Sequence, residues 1–83
     1  MRFHEDINEL IVELLADIQD IGNEQIWAFY EEENDKKIFT DYRFKQDPDE
    51  KMPKGTSKEK VTEILASDLL SQLRAQHFNN SSL

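Results

Sequence analysis

Gln25-Ile-Trp-Ala-Phe-Tyr-Glu-Glu-Glu-Asn-Asp-Lys-Lys-Ile-Phe-Thr-Asp-Tyr-Arg-Phe44 decides the fold of this chain. Two runs rich in aromatic and β-branched residues flank a polar centre, which is the signature of a β-hairpin. Asn34 and Asp35 both tolerate positive φ, so a two-residue turn centred on them sets the register. Residue 33 then faces 36, 30 faces 39, 29 faces 40 and 27 faces 42. One face collects Trp27, Phe29, Ile38, Thr40, Tyr42 and Phe44 and is the expected core. The other collects Ile26, Ala28, Tyr30, Phe39, Asp41 and Arg43, half apolar and half charged.

A helix is expected on either side of this hairpin. Phe3, Ile7, Leu10, Ile11, Leu14, Leu15, Ile18 and Ile21 fall on one side of a 3.6-residue wheel, predicting an amphipathic helix over about 4–21. Val12 lies off that stripe, and Gly22-Asn23 supplies a left-handed stop. Residues 45–55 carry two prolines and a glycine among charged residues and read as a loop. Thr56-Ser-Lys-Glu59 reads as a capping box, so a second helix is expected over about 57–77. Its apolar face would be Val61, Ile64, Leu65, Leu69 and Leu73, with Ala66 and Leu70 at the margin. The expected fold is a small two-layer α+β domain in the order helix-strand-strand-helix, an antiparallel hairpin packed by two amphipathic helices. It spans residues 1–78, with 79–83 as a disordered polar tail.

Eighty-three residues allow one domain. A chain of this size buries only about 60–65% of its unfolded surface, so a staple is often needed. The absence of cysteine removes disulfides, thiolate metal sites and thiol catalysis, leaving a partner or a second copy. No stretch reaches the roughly 20 apolar residues of a membrane span, and the cytoplasm is the expected location. The charge is lopsided. Residues 1–35 hold eleven acids and one base, net −10; residues 36–83 hold seven acids and nine bases, net +2. Direct binding to nucleic acid or to an anionic membrane needs a basic face, so neither is expected.

Patterns that carry catalysis are missing. A nucleophile needs a base in reach, and Ser57, Ser67 and Ser71 have no histidine at helical spacing, with His4 and His77 near opposite ends. Lys54-Gly55-Thr56 lacks the glycines of a phosphate loop. Asp47-Pro-Asp-Glu50 and Glu31-Glu-Glu-Asn-Asp35 offer oxygens without the spacing of a calcium loop. The expectation is a non-enzymatic protein with no cofactor and no metal.

The first helix stands out. Glu5, Glu9, Glu13 and Asp17 follow i, i+4 spacing, and Asp6, Glu13 and Asp20 follow i, i+7, opposite the apolar stripe. Like charges at i, i+4 cost a few tenths of a kcal/mol per pair, and a solvated face usually mixes signs. Successive carboxylates lie about 6 Å apart along the axis, against roughly 3.4 Å between phosphates on a DNA strand. A face of this kind suits a basic protein, including one that handles nucleic acid. Glu5, Glu9, Glu13, Asp17 and Asp20, with Glu31, Glu32 and Glu33, are the expected partner-binding residues. The alternative is a homodimer, formed through a hairpin edge or by covering an outer sheet face of Ile26, Tyr30 and Phe39. In length and charge the chain resembles the small inhibitors, immunity proteins and prophage products of bacterial mobile elements.

Overall fold

The computed structural model describes residues 7–81. It is an α+β domain of two helices and a three-stranded antiparallel sheet: α1 (Ile7–Ile21), β1 (Gln25–Glu33), β2 (Lys36–Phe44), β3 (Lys60–Leu65) and α2 (Ala66–Ser81). The strand order is β2-β1-β3, which places β1 at the centre. Residues 4–6 of the expected first helix lie outside the described residues.

α1 ends where the sequence requires. Gly22 takes φ 78° and donates its N–H to the Ile18 carbonyl at 2.8 Å, closing the last turn with a left-handed residue. The hairpin turn also follows the residue chemistry, with Asn34 at φ 53° and Asp35 at φ 64°. Glu33 faces Lys36 and Tyr30 faces Phe39 as expected, but beyond that pair the register shifts. Phe29 pairs with Asp41, and Thr40 is an extra residue in β2 whose hydroxyl oxygen lies 3.3 Å from the Phe29 carbonyl oxygen.

This single bulge corrects the expected core. Side chains alternate along a strand, so one inserted residue moves everything beyond it to the other face. Tyr42 and Phe44 now share a face with Ile26, Ala28, Tyr30 and Phe39, opposite Ala28 and Ile26 respectively. That face is the core, and Trp27 and Phe29 lie on the opposite one. Leu10, Ile11 and Leu14 of α1 and Ala66, Leu69, Leu70 and Leu73 of α2 pack on it as one cluster. Both helices therefore sit on the same side of the sheet and touch each other.

The second correction is β3. Residues 60–65, expected within the second helix, form a strand on the free edge of β1, with Ile26 facing Ile64 and Phe29 facing Val61. The sequence Lys-Val-Thr-Glu-Ile-Leu is half β-branched, and a two-stranded hairpin is marginal without a third strand. The Glu59 N–H does bond to Thr56 Oγ1 at 3.2 Å, but this turn leads into a strand. The Glu59 carboxylate accepts from Thr40 Oγ1 at 3.1 Å instead of turning back on its own segment. α2 starts at Ala66, whose N–H donates to the Glu24 carbonyl at 2.9 Å. It continues to Ser81, three residues into the expected tail.

One polar side chain belongs to this core. Gln76 is buried on α2, accepts the Phe39 N–H at 2.9 Å and donates to the Phe39 carbonyl at 3.1 Å. Its amide thus replaces one residue of a neighbouring strand along the outer edge of β2. A buried polar group left without its partner costs about 1–3 kcal/mol. Gln76→Ala should lower stability in chemical denaturation by about 2–3 kcal/mol. Ser71→Ala, which removes an exposed bond to the Ser67 carbonyl, should stay within about 0.5 kcal/mol of the parent.

Candidate protein-interaction face

Helix α1 carries the acidic row, which runs from its exposed side toward the sheet. Glu9 and Asp20 are exposed, while Glu13 and Asp17 are half-buried. Glu5 lies outside the described residues. From Ile7 to Ile21 there are four carboxylates and no lysine, arginine or histidine. Val12 stands among them, 59% exposed, one turn from Glu9 and next to Glu13. Asp17 also works within the fold, because its carboxylate accepts the Tyr42 hydroxyl at 2.6 Å. This bond ties the helix to β2.

The other expected partner-binding residues lie in a different electrostatic setting. Glu31, Glu32 and Glu33 are exposed at the hairpin tip. The ladder sets Glu33 opposite Lys36 and Glu32 opposite Lys37, and Lys60 of β3 forms an ion pair with Glu32. Lysines therefore interleave with these acids, and they do not extend the single-sign surface of α1. The hydrogen bond from Lys60, reinforced by its charge, holds the Glu32 carboxyl below its ordinary 4.5, and the same contact raises the Lys60 ammonium above 10.5.

The expected dimer face is not on the surface. Ile26 and Phe39 are buried beneath the helices, and Tyr30 packs against the same cluster with its ring 5.6 Å from that of Phe39. The bulge and the shared placement of both helices put these residues inside.

Over the opposite sheet face lie side chains of residues 45–59, of which the sequence marks 45–55 as a loop and 56–59 as the start of the second helix. Trp27 is 4% exposed beneath them. The Lys45 ammonium lies 4.9 Å from the centre of the indole ring, and Trp27 Nε1–H donates to the Glu50 carboxylate at 2.5 Å. Lys45 also pairs with Glu63, which faces Trp27 across the β1–β3 ladder. Gly55 fits here because it has no side chain. A Cβ at that position would lie 2.3 Å from the Glu59 carbonyl oxygen. A period-2 reading of Trp27 and Phe29 could have revealed this second buried surface, given the position of the bulge.

Between β2 and α2 runs an open groove of about 450 Å³. Lys36, Lys37, Ile38 and Phe39 form one side, and Gln72, Ala75 and Gln76 form the other. Among the described residues no group of three or more His, Cys, Asp or Glu side chains could hold a metal ion, and no helix is long and apolar enough to cross a membrane.

Two measurements check this description. Gly55→Ala should displace the covering segment, shift Trp27 emission to longer wavelength and lower stability by about 1–3 kcal/mol. Lys60→Met should raise the Glu32 carboxyl toward its ordinary titration, with Lys37 still holding it down in part, read by NMR of its side-chain carbon. In the parent chain the Glu32 contribution is present above pH 4.5 and is lost as pH falls through its depressed value. The Lys60 contribution is present below 10.5 and is lost as pH rises through its elevated value.

Comparison with protein-family models, curated proteins and solved structures returns no match to this chain.

Proposed function

We propose that this chain is a non-enzymatic binding module that engages a basic protein through the outer side of α1. The observation that carries this reading is the sign of the charge along one helix. α1 holds Glu9, Glu13, Asp17 and Asp20, and the sequence from Ile7 to Ile21 contains no basic residue. Carboxylates aligned on a rigid helix create a directed field that steers a basic surface into place. Val12, 59% exposed, adds an apolar contact at the margin of this face. A basic protein that handles nucleic acid fits this surface, since its groove is built to receive a row of negative charges.

A second reading is a homodimer through a sheet edge. Gln76 already occupies the outer edge of β2 at Phe39, so the longer unbroken edge for such pairing is β3. This reading implies twice the chain mass by light scattering, at any salt concentration that leaves the fold intact.

Reversal of Glu9, Glu13 and Asp20 to lysine tests the first reading, with Asp17 spared because Tyr42 depends on it. The variant should unfold at nearly the parent temperature and lose capture of basic proteins from lysate at low salt. In the parent, captured proteins should elute as salt rises through a few hundred millimolar, because exposed charges are screened over about 10 Å at 0.1 M. Capture that survives the reversal would remove α1 as the binding face.

A further inference from the structure

We infer that the groove between β2 and α2 is a second binding site, which takes a short extended acidic segment of a partner protein. The inference starts from the alternation of an antiparallel ladder. In a two-residue hairpin, the pair that flanks the turn is hydrogen-bonded, and the next pair is not. Glu33 and Lys36 flank the turn, so Glu32–Lys37 and Tyr30–Phe39 are the non-bonded pairs. The N–H and C=O of Lys37 and Phe39 therefore point away from β1. Gln76 shows the phase directly, since it takes both outward groups of Phe39.

Lys37 is the next outward position along that edge, so its backbone N–H and C=O point away from β1 in the same phase as those of Phe39. In front of them lies the groove, where Ala75 leaves room against α2. A strand edge beside a helix, with outward-facing backbone groups, is the arrangement in which an extended peptide adds to a sheet.

Charge selects the occupant. The chain has 18 acids and 10 bases, yet none of the residues lining this groove is acidic and two are lysines. Lys36 has no ion-pair partner among the described residues, and Lys37 extends over the Tyr30 ring at 5.0 Å. An acidic segment satisfies both ammonium groups while its backbone pairs with Lys37. The site is short, because the turn closes it at Asp35 and Gln76 closes it at Phe39. Its partner differs from that of α1, and the two faces carry opposite charge.

The test is an NMR titration of the isotope-labelled chain with a blocked pentapeptide alternating glutamate and valine. The matching peptide of lysine and valine serves as control. The Lys37 backbone amide and the Gln76 side-chain amide should shift with the acidic peptide and not with the basic one. Lys36→Glu with Lys37→Glu should weaken binding about tenfold, and Ala75→Trp should fill the groove and abolish it. Glu9→Lys with Glu13→Lys should leave binding unchanged, which separates this site from the α1 face. Absence of shifts at Lys37, equal binding of the basic peptide, or insensitivity to Lys36→Glu with Lys37→Glu would overturn the inference. So would shifts at Lys37 that grow with protein concentration alone, since the occupant would then be a second copy.

Discussion

Three consecutive residues, Ile26, Trp27 and Ala28, are buried in a chain of 83 residues. Because side chains alternate, burying all three requires cover on both faces of β1, and most of the architecture follows from that demand. The helices supply one cover through leucines and isoleucines. Among the described residues no further helix or strand lies on the other face. The other cover is built from residues 45–59, which are largely polar. They shield the indole with the Lys45 side chain and satisfy its N–H with the Glu50 carboxylate. A long amphipathic side chain can cover apolar surface while its charge stays near water. This explains how a segment with little apolar content closes a hydrophobic face.

The parts of the fold that depend on local chemistry were legible in the sequence. α1 follows from its apolar period and Gly22, and the hairpin turn follows from Asn34-Asp35. The parts that depend on distant partners were not. Nothing at Thr40 marks it as an extra residue, yet it decides whether Tyr42 and Phe44 face the helices. Val61, Ile64 and Leu65 match helical spacing and continue smoothly onto Leu69 and Leu73, so periodicity alone joins β3 to α2. The contrary signal was the β-branched content of Val61, Thr62 and Ile64 together with the unpaired edge of β1. A helical reading of Glu59 also concealed its bond to Thr40 across the sheet.

The same division holds for the surface. The charge of α1 was readable because its neighbours along a helix are fixed by spacing. The setting of Glu31 to Glu33 was half readable, since the hairpin register already puts Lys36 and Lys37 opposite Glu33 and Glu32. Lys60 was beyond reach while residues 60–65 were read as helix. The groove was invisible, because it needs α2 placed beside β2 and Gln76 turned inward. The surface that results is uneven, with carboxylates alone along one helix and lysines mixed with glutamates at the hairpin. An average over the whole chain, net −8, conceals this arrangement.

The β2–β3 connection also has a kinetic consequence. β3 pairs with residues up to 40 positions earlier, Leu65 with Gln25, and reaches them only after the intervening chain has crossed the sheet. α1 and the hairpin join neighbours in sequence and can assemble within microseconds, whereas closing so distant a contact carries a larger entropic cost before any contact repays it. During synthesis the hairpin leaves the ribosome before the strand that completes it. For that interval β1 has an open edge and Trp27 has no cover, in a segment rich in aromatic residues. Such a species is prone to pair with the wrong strand. The glutamates that follow Tyr30 and the lysines that face them lie next to this exposed run and act as gatekeepers until β3 arrives.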